Sequence, residues 1–114
     1  MEPMKTALAA RRASAHVAAA DRKTKDAALL KMAELLESNK SEIVGANEAD
    51  IAEARDKGLQ GTMIDRLKFG AAKVDSRVKS LQTIASLPDP VGRTLRDETT
   101  ANGLRARRVA VPLG

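Results

Sequence analysis

The chain has 114 residues, 43% of them apolar, with 20 basic and 15 acidic side chains and a net charge of +5. That length holds one small domain, and because 21 of the apolar residues are alanine and a single Phe is the only aromatic, the core it can build alone is thin. With no Cys and one His, disulfide frameworks, thiol nucleophiles and Cys- or His-based zinc sites are excluded, and no apolar run approaches the roughly 20 residues of a membrane span.

The first 87 residues read as successive helices. Residues from about Met4 to Ala20 are Ala-rich, and Ala is the best helix former; this Arg-containing, acid-poor start faintly resembles a transit peptide, with a plain N-terminal helix the favoured reading. Asp21 is placed to cap a second helix, whose Leu29, Met32, Ala33 and Leu36 recur at i, i+3, i+4 and i+7 as one apolar stripe. Lys31, Glu34 and Glu37 fall on its wetter side. Ser41 is expected to cap a third helix carrying Ile43, Asn47, Ile51 and Ala54, with Gly58 as its stop. Gly45 weakens this helix by about 1 kcal/mol relative to Ala. Thr62 and Asp65 have capping-box spacing and open a short helix through Leu67. A fifth helix carries Val74, Val78, Leu81 and Ala85, and the prolines of Pro88-Asp89-Pro90-Val91-Gly92 end it.

The remainder reads as a hairpin. Asn102-Gly103 is a two-residue turn signal, since a type I′ turn needs positive φ at both positions. That register pairs Thr99 with Ala106, Glu98 with Arg107 and Asp97 with Arg108, two opposite-charge pairs directly across from each other. The second strand is expected to run on through Val109-Ala110-Val111-Pro112-Leu113-Gly114, leaving an apolar edge without cover.

Catalytic constellations are not evident. The glycines are isolated, with no phosphate-cradling loop. Ser14 and His16 lie two apart on a helix, so they face apart and form no nucleophile–base pair; His16 reads as structural. Asn47 and Asp50 sit one turn apart on or beside an apolar stripe. Polar groups on a buried face must be hydrogen-bonded, and a tie to a neighbouring loop is favoured over a ligand contact. Arg66 could clamp a carboxylate or another helix. The basic residues are interspersed with acidic ones, the densest cluster being Arg105, Arg107 and Arg108, and Phe69 stands alone, so no base-stacking platform is present.

The run Asn47-x-x-Asp50-x-x-x-Ala54-x-x-x-Gly58, then Asp65-Arg66-Leu67, then Leu87-Pro88-Asp89-Pro90-Val91-Gly92, Asn102-Gly103-Leu104 and Val111-Pro112-Leu113-Gly114, resembles the N-terminal region of the gamma-glutamyl phosphate reductase family of the aldehyde dehydrogenase superfamily. The resemblance implies an α/β aldehyde dehydrogenase-like fold to which this chain contributes about five helices and a β-hairpin. Residues 1–90 would be the helical part of a cofactor-binding domain, and residues 91–114 the hairpin and the start of a further strand. It implies an NADPH-dependent reduction of L-glutamyl 5-phosphate to L-glutamate 5-semialdehyde in proline biosynthesis, through a thioester on a Cys thiolate, in a cytoplasmic homo-oligomer acting on a small-molecule substrate, without nucleic acid or membrane.

The family places that Cys and its cofactor residues beyond Gly114. No catalytic, cofactor-binding or metal residue is therefore assigned here, and the chain alone is expected to be inactive. Asn47, Asp50, Asp65, Arg66 and Leu67 match the motif as family markers only. The alternatives are a stand-alone helical protein-interaction module and, less favoured, a basic nucleic-acid binder.

Overall fold

The computed structural model describes residues 2–113. Five helices, α1 (Pro3–Ala19), α2 (Arg22–Ser38), α3 (Lys40–Asp56), α4 (Thr62–Leu67) and α5 (Ala71–Ser86), are followed by the strands β1 (Thr94–Thr99) and β2 (Arg105–Val109). Residues 23–86 cluster as one unit, and the described residues of 2–22 with 87–113 as another.

In the first unit the stripes of α2, α3 and α5 meet. Ala33, Val74 and Val78 are buried together, with Leu36, Ile43, Val44, Phe69 and Leu81 packed against them. Val74 is completely enclosed, and Ala54, Ile64 and Ala85 are also buried. The α5 stripe of Val74, Val78, Leu81 and Ala85 faces the core as its spacing predicts.

On α2 the stripe is rotated from the expected one. Leu29, Ala33 and Leu36 turn inward, whereas Met32 is 52% exposed. The inward face follows i, i+4, i+7 from Leu29, and Met32 falls to one side of that line.

The junctions are tighter than the sequence suggests. Only Asn39 separates α2 from α3, so Ser41 lies inside the first turn of α3 and is not its cap. Asn39 makes no capping bond to α3; its Nδ2 donates to the Leu35 carbonyl at 2.8 Å and thereby satisfies the end of α2. At the far end of α3, the Leu59 N–H donates to the Ala54 carbonyl at 3.0 Å while Gly58 sits at φ 84°. This is the left-handed helix stop that the glycine predicts. The Thr62–Asp65 capping box does not form: Gly61, at φ 60°, holds the N-cap position, and Asp65 accepts instead from Lys68 Nζ at 2.8 Å. Lys40 Nζ and Asp75 Oδ1, 2.5 Å apart, link the start of α3 to α5.

In the second unit, α1 opens on Pro3, where a missing N–H costs nothing, and none of its residues is buried. Ser14 Oγ donates to the Arg11 carbonyl at 2.7 Å, and His16 is exposed, so the two side chains form no pair. The Asp89 carboxylate accepts from Val91 N–H at 3.0 Å, and Gly92 takes φ 81° in the turn that leads into β1.

The hairpin is formed, but in a register one residue away from that expected. Asp97 pairs with Arg107, Glu98 with Ala106 and Thr99 with Arg105, with an irregularity between Thr94 and Arg96. The loop has three residues, not two. Thr100 N–H donates to the Leu104 carbonyl at 2.8 Å, Gly103 N–H donates to the Thr100 carbonyl at 2.9 Å, and only Gly103 has positive φ, at 83°. A type I turn followed by a left-handed glycine closes the strands.

The slip replaces the expected charge pairs. Arg105 reaches diagonally to Asp97, Nε to Oδ1 at 2.9 Å and Nη2 to Oδ2 at 2.5 Å. Glu98 pairs along its own strand with Arg96 at 2.8 Å. β2 ends at Val109, short of the expected extension. Ala110 still bonds Gly92 and Arg93, but Pro112 has no N–H to continue a ladder. Gly114 lies outside the described residues.

Two outcomes test these packing assignments. A Cβ at Gly45 meets nothing within 4 Å in the interior of α3, so Gly45→Ala stabilises the chain by about 0.5–1 kcal/mol, read as a higher urea midpoint at unchanged m. A double-mutant cycle on Asp97 and Arg105 shows favourable coupling, whereas one on Glu98 and Arg107 shows none. The Arg105 hydrogen bond holds the Asp97 carboxyl below its ordinary range. The coupling is therefore fully present above the ordinary aspartate pKa and is lost as pH falls through the lowered folded value. Salt weakens it, because both groups are exposed.

Candidate functional site

The polar residue that ties α3 to the loop after α4 is Asn47. Mid-α3, it is half-buried on the stripe of Ile43, Ile51 and Ala54. Its Nδ2 donates to the Leu67 carbonyl at 2.9 Å, and its Oδ1 accepts from Phe69 N–H at 2.6 Å. A carbonyl requires the NH2 end and an amide N–H requires the oxygen, so the two partners fix the amide's orientation. Leu67 is the last residue of α4, where helix carbonyls lose their intrahelical donors. Asn47 supplies one of those donors and anchors the link from α4 to α5. This is the loop tie favoured by the sequence, and it uses both ends of the side chain.

The other motif residues do not join it. Asp50 is exposed on α3, and Arg66 is exposed on α4. Asp65 is committed to Lys68, whose hydrogen bond holds its carboxyl below the ordinary range. Leu67 takes part through its backbone carbonyl, which no side-chain pattern reveals. Phe69 was noted in the sequence only for its isolation. Its packing against Ala33, Val74 and Val78 follows from the Asn47 bond to its N–H.

Two shallow grooves flank this region. One, of about 550 Å³, is lined by Glu37, Ser38, Lys40, Val44, Gly45 and Glu48 among others. The second, of about 410 Å³, is lined by Arg55, Leu59, Gln60, Gly61, Asp65 and Lys68 among others. The first carries Glu37 and Glu48 on its walls and its Lys40 is paired with Asp75, while in the second Lys68 is engaged by Asp65. Among the described residues no cluster of His, Asp and Glu could hold a metal ion, and no helix is long and apolar enough to cross a membrane. What this arrangement does chemically is positional: it fixes a helical scaffold through a half-buried amide.

Known proteins share this scaffold. No family model matches the chain. The gamma-glutamyl phosphate reductase of Thermobifida fusca is 43% identical over 110 residues, spanning 96% of this chain and 26% of the relative. That of Parvibaculum lavamentivorans is 42% identical over 107 residues, 94% of this chain and 25% of the relative. Among solved structures, the Thermotoga maritima gamma-glutamyl phosphate reductase superposes with a TM-score of 0.85 at 32% identity, covering 95% of this chain and 26% of that one. The Saccharomyces cerevisiae protein of the same name superposes with a TM-score of 0.78 at 27% identity, covering 87% of this chain and 25% of that one. The chain thus spans about a quarter of the length of the relatives it matches. Over nearly all of its own length it is similar in sequence and in fold to a portion of gamma-glutamyl phosphate reductase, whose fold is aldehyde dehydrogenase-like.

The tie can be dissected by substitution. Asn47→Ala leaves the part-buried Phe69 N–H and the Leu67 carbonyl without side-chain partners and lowers stability by about 1–3 kcal/mol. Asn47→Asp keeps the acceptor for Phe69 but faces a carbonyl with a second acceptor, so its loss is intermediate. Urea unfolding of the two variants ranks them.

Proposed function

We propose that the chain is the N-terminal part of a gamma-glutamyl phosphate reductase, an enzyme that uses NADPH to reduce L-glutamyl 5-phosphate to L-glutamate 5-semialdehyde, with release of phosphate, in proline biosynthesis. The observation that carries this reading is the match over nearly the whole chain in both sequence and fold, 43% identity to one relative and a TM-score of 0.85 to another. On this reading residues 1–90 belong to the cofactor-binding domain and residues 91–114 lead into the rest of the fold. The complete enzyme is a cytoplasmic homo-oligomer acting on a small molecule, with no nucleic acid or membrane partner.

The role of this portion is architectural. The implied mechanism needs a thiolate to attack the acyl phosphate and donors to stabilise the developing oxyanion. The chain has no Cys. Its residues hold the helices in register through the Ala33, Val74 and Val78 contacts and the Asn47 tie. NADPH, when bound to the complete enzyme, supplies the hydride. A helical interaction module is the second reading, favoured by α1, whose Met4, Leu8 and Val17 are all exposed.

A chimera separates the two readings. In the Thermobifida fusca reductase, this chain replaces the corresponding quarter. The enzyme reading expects glutamyl phosphate-dependent NADPH oxidation by the chimera and none by the 114-residue chain alone. A chimera that folds but does not turn over, or turnover by the isolated chain, overturns it.

A further inference from the structure

The hairpin loop brings together the elements of a self-modifying peptide bond. Of the three asparagines, Asn39 precedes Lys40 and Asn47 precedes Glu48, both at or within helices. Asn102 precedes Gly103 in an exposed loop. We propose that Asn102-Gly103 is a site of spontaneous deamidation and isoaspartate formation in the folded chain.

The chemistry requires the backbone nitrogen after an asparagine to reach that side chain's Cγ. Gly103 has no Cβ to obstruct the approach, and a Cβ built there would meet nothing within 4 Å, so the loop is open around it. The Gly103 nitrogen gives up its proton to solvent base and attacks Asn102 Cγ, and a C–N bond forms. The Cγ–Nδ2 bond then breaks, and ammonia leaves after taking up a proton. Water opens the resulting five-membered imide at either carbonyl. One opening yields aspartate; the other yields isoaspartate, with the main chain rerouted through the side-chain carbon. Each product places a carboxylate where an amide stood, lowering the net charge by one at neutral pH.

The fold meters this reaction. Gly103 N–H is committed to the Thr100 carbonyl at 2.9 Å, and the Asn102 side chain is held against the Thr100 hydroxyl. The Gly103 N–H must leave the Thr100 carbonyl before its nitrogen can attack. The neighbouring strands are exposed along their whole length, and an isolated two-stranded hairpin is marginally stable, so local opening is frequent. Asn47, by contrast, has both ends of its amide bonded, and Glu48 after it lies in the interior of α3.

Incubation of the intact chain at mildly alkaline pH, followed by digestion, mass spectrometry and isoaspartyl methyltransferase labelling, tests the assignment, with a synthetic peptide of residues 99–106 as a reference. The expected result is aspartate and isoaspartate at position 102, with Asn39 and Asn47 unchanged, at a rate that rises with hydroxide concentration and below that of the peptide. Asn102→Gln, whose ring closure is disfavoured, removes the signal without altering the strands. An amide that remains intact at Asn102 when the peptide has converted, or equal conversion at Asn39 or Asn47, overturns the proposal.

Discussion

The helical unit depends on one side-chain amide. Its apolar core is small-boned: of the six buried residues, Ala33, Ala54 and Ala85 contribute only a methyl each, beside Val74, Val78 and Ile64. Apolar burial is non-directional, and a core of small, similar side chains does little to distinguish one helix register from a neighbouring one. The Asn47 amide is directional. It accepts one backbone hydrogen and donates another within a three-residue stretch, which fixes where α4 ends and where Phe69 enters the core. A half-buried amide with both ends satisfied adds specificity where volume cannot.

The sequence and the structure agree where long-period patterns decide and part where local hydrogen bonds do. The α5 stripe and the Gly58 stop were legible because a repeat of 3.6 residues and a left-handed helix end leave marks in residue type. The starts of α3 and α4 were not. Ser41 and Thr62 are good capping residues, yet the backbone turns two residues earlier in the first case, at Asn39, and one residue earlier in the second, at Gly61. In each case the polar side chain suited for capping was outweighed by the geometry of a short connection, which residue identity alone does not encode.

The hairpin shows the same competition in a sharper form. Charge pairing suggested a two-residue loop, since it set Glu98 and Asp97 opposite arginines. The three-residue loop instead puts Arg96 directly opposite Arg108, an unfavourable pairing on its face. It is nevertheless the register formed. The two-residue turn would require Asn102 as well as Gly103 to adopt positive φ, which Asn tolerates better than other side chains but less readily than Gly, whereas the observed loop asks it of the glycine alone. Exposed ion pairs contribute little, so backbone conformation sets the register and the charges accommodate it. Arg105 then finds Asp97 diagonally, and Glu98 turns to Arg96 along its own strand.

Function was legible in this chain only through resemblance, and the reason is physical. Chemistry announces itself in a sequence when reactive groups, ligands or phosphate loops must occupy fixed spacings. Here the motif residues serve backbone geometry: Asn47 binds two main-chain groups, Leu67 offers a carbonyl, Gly58 ends a helix and Gly92 turns the chain into a strand. Asp65 binds the neighbouring Lys68, and Asp50 and Arg66 stand in solvent. Residues that shape a scaffold recur for the fold they maintain, whatever reaction is performed on it. A motif of this kind therefore identifies the protein family more readily than it identifies a reacting atom.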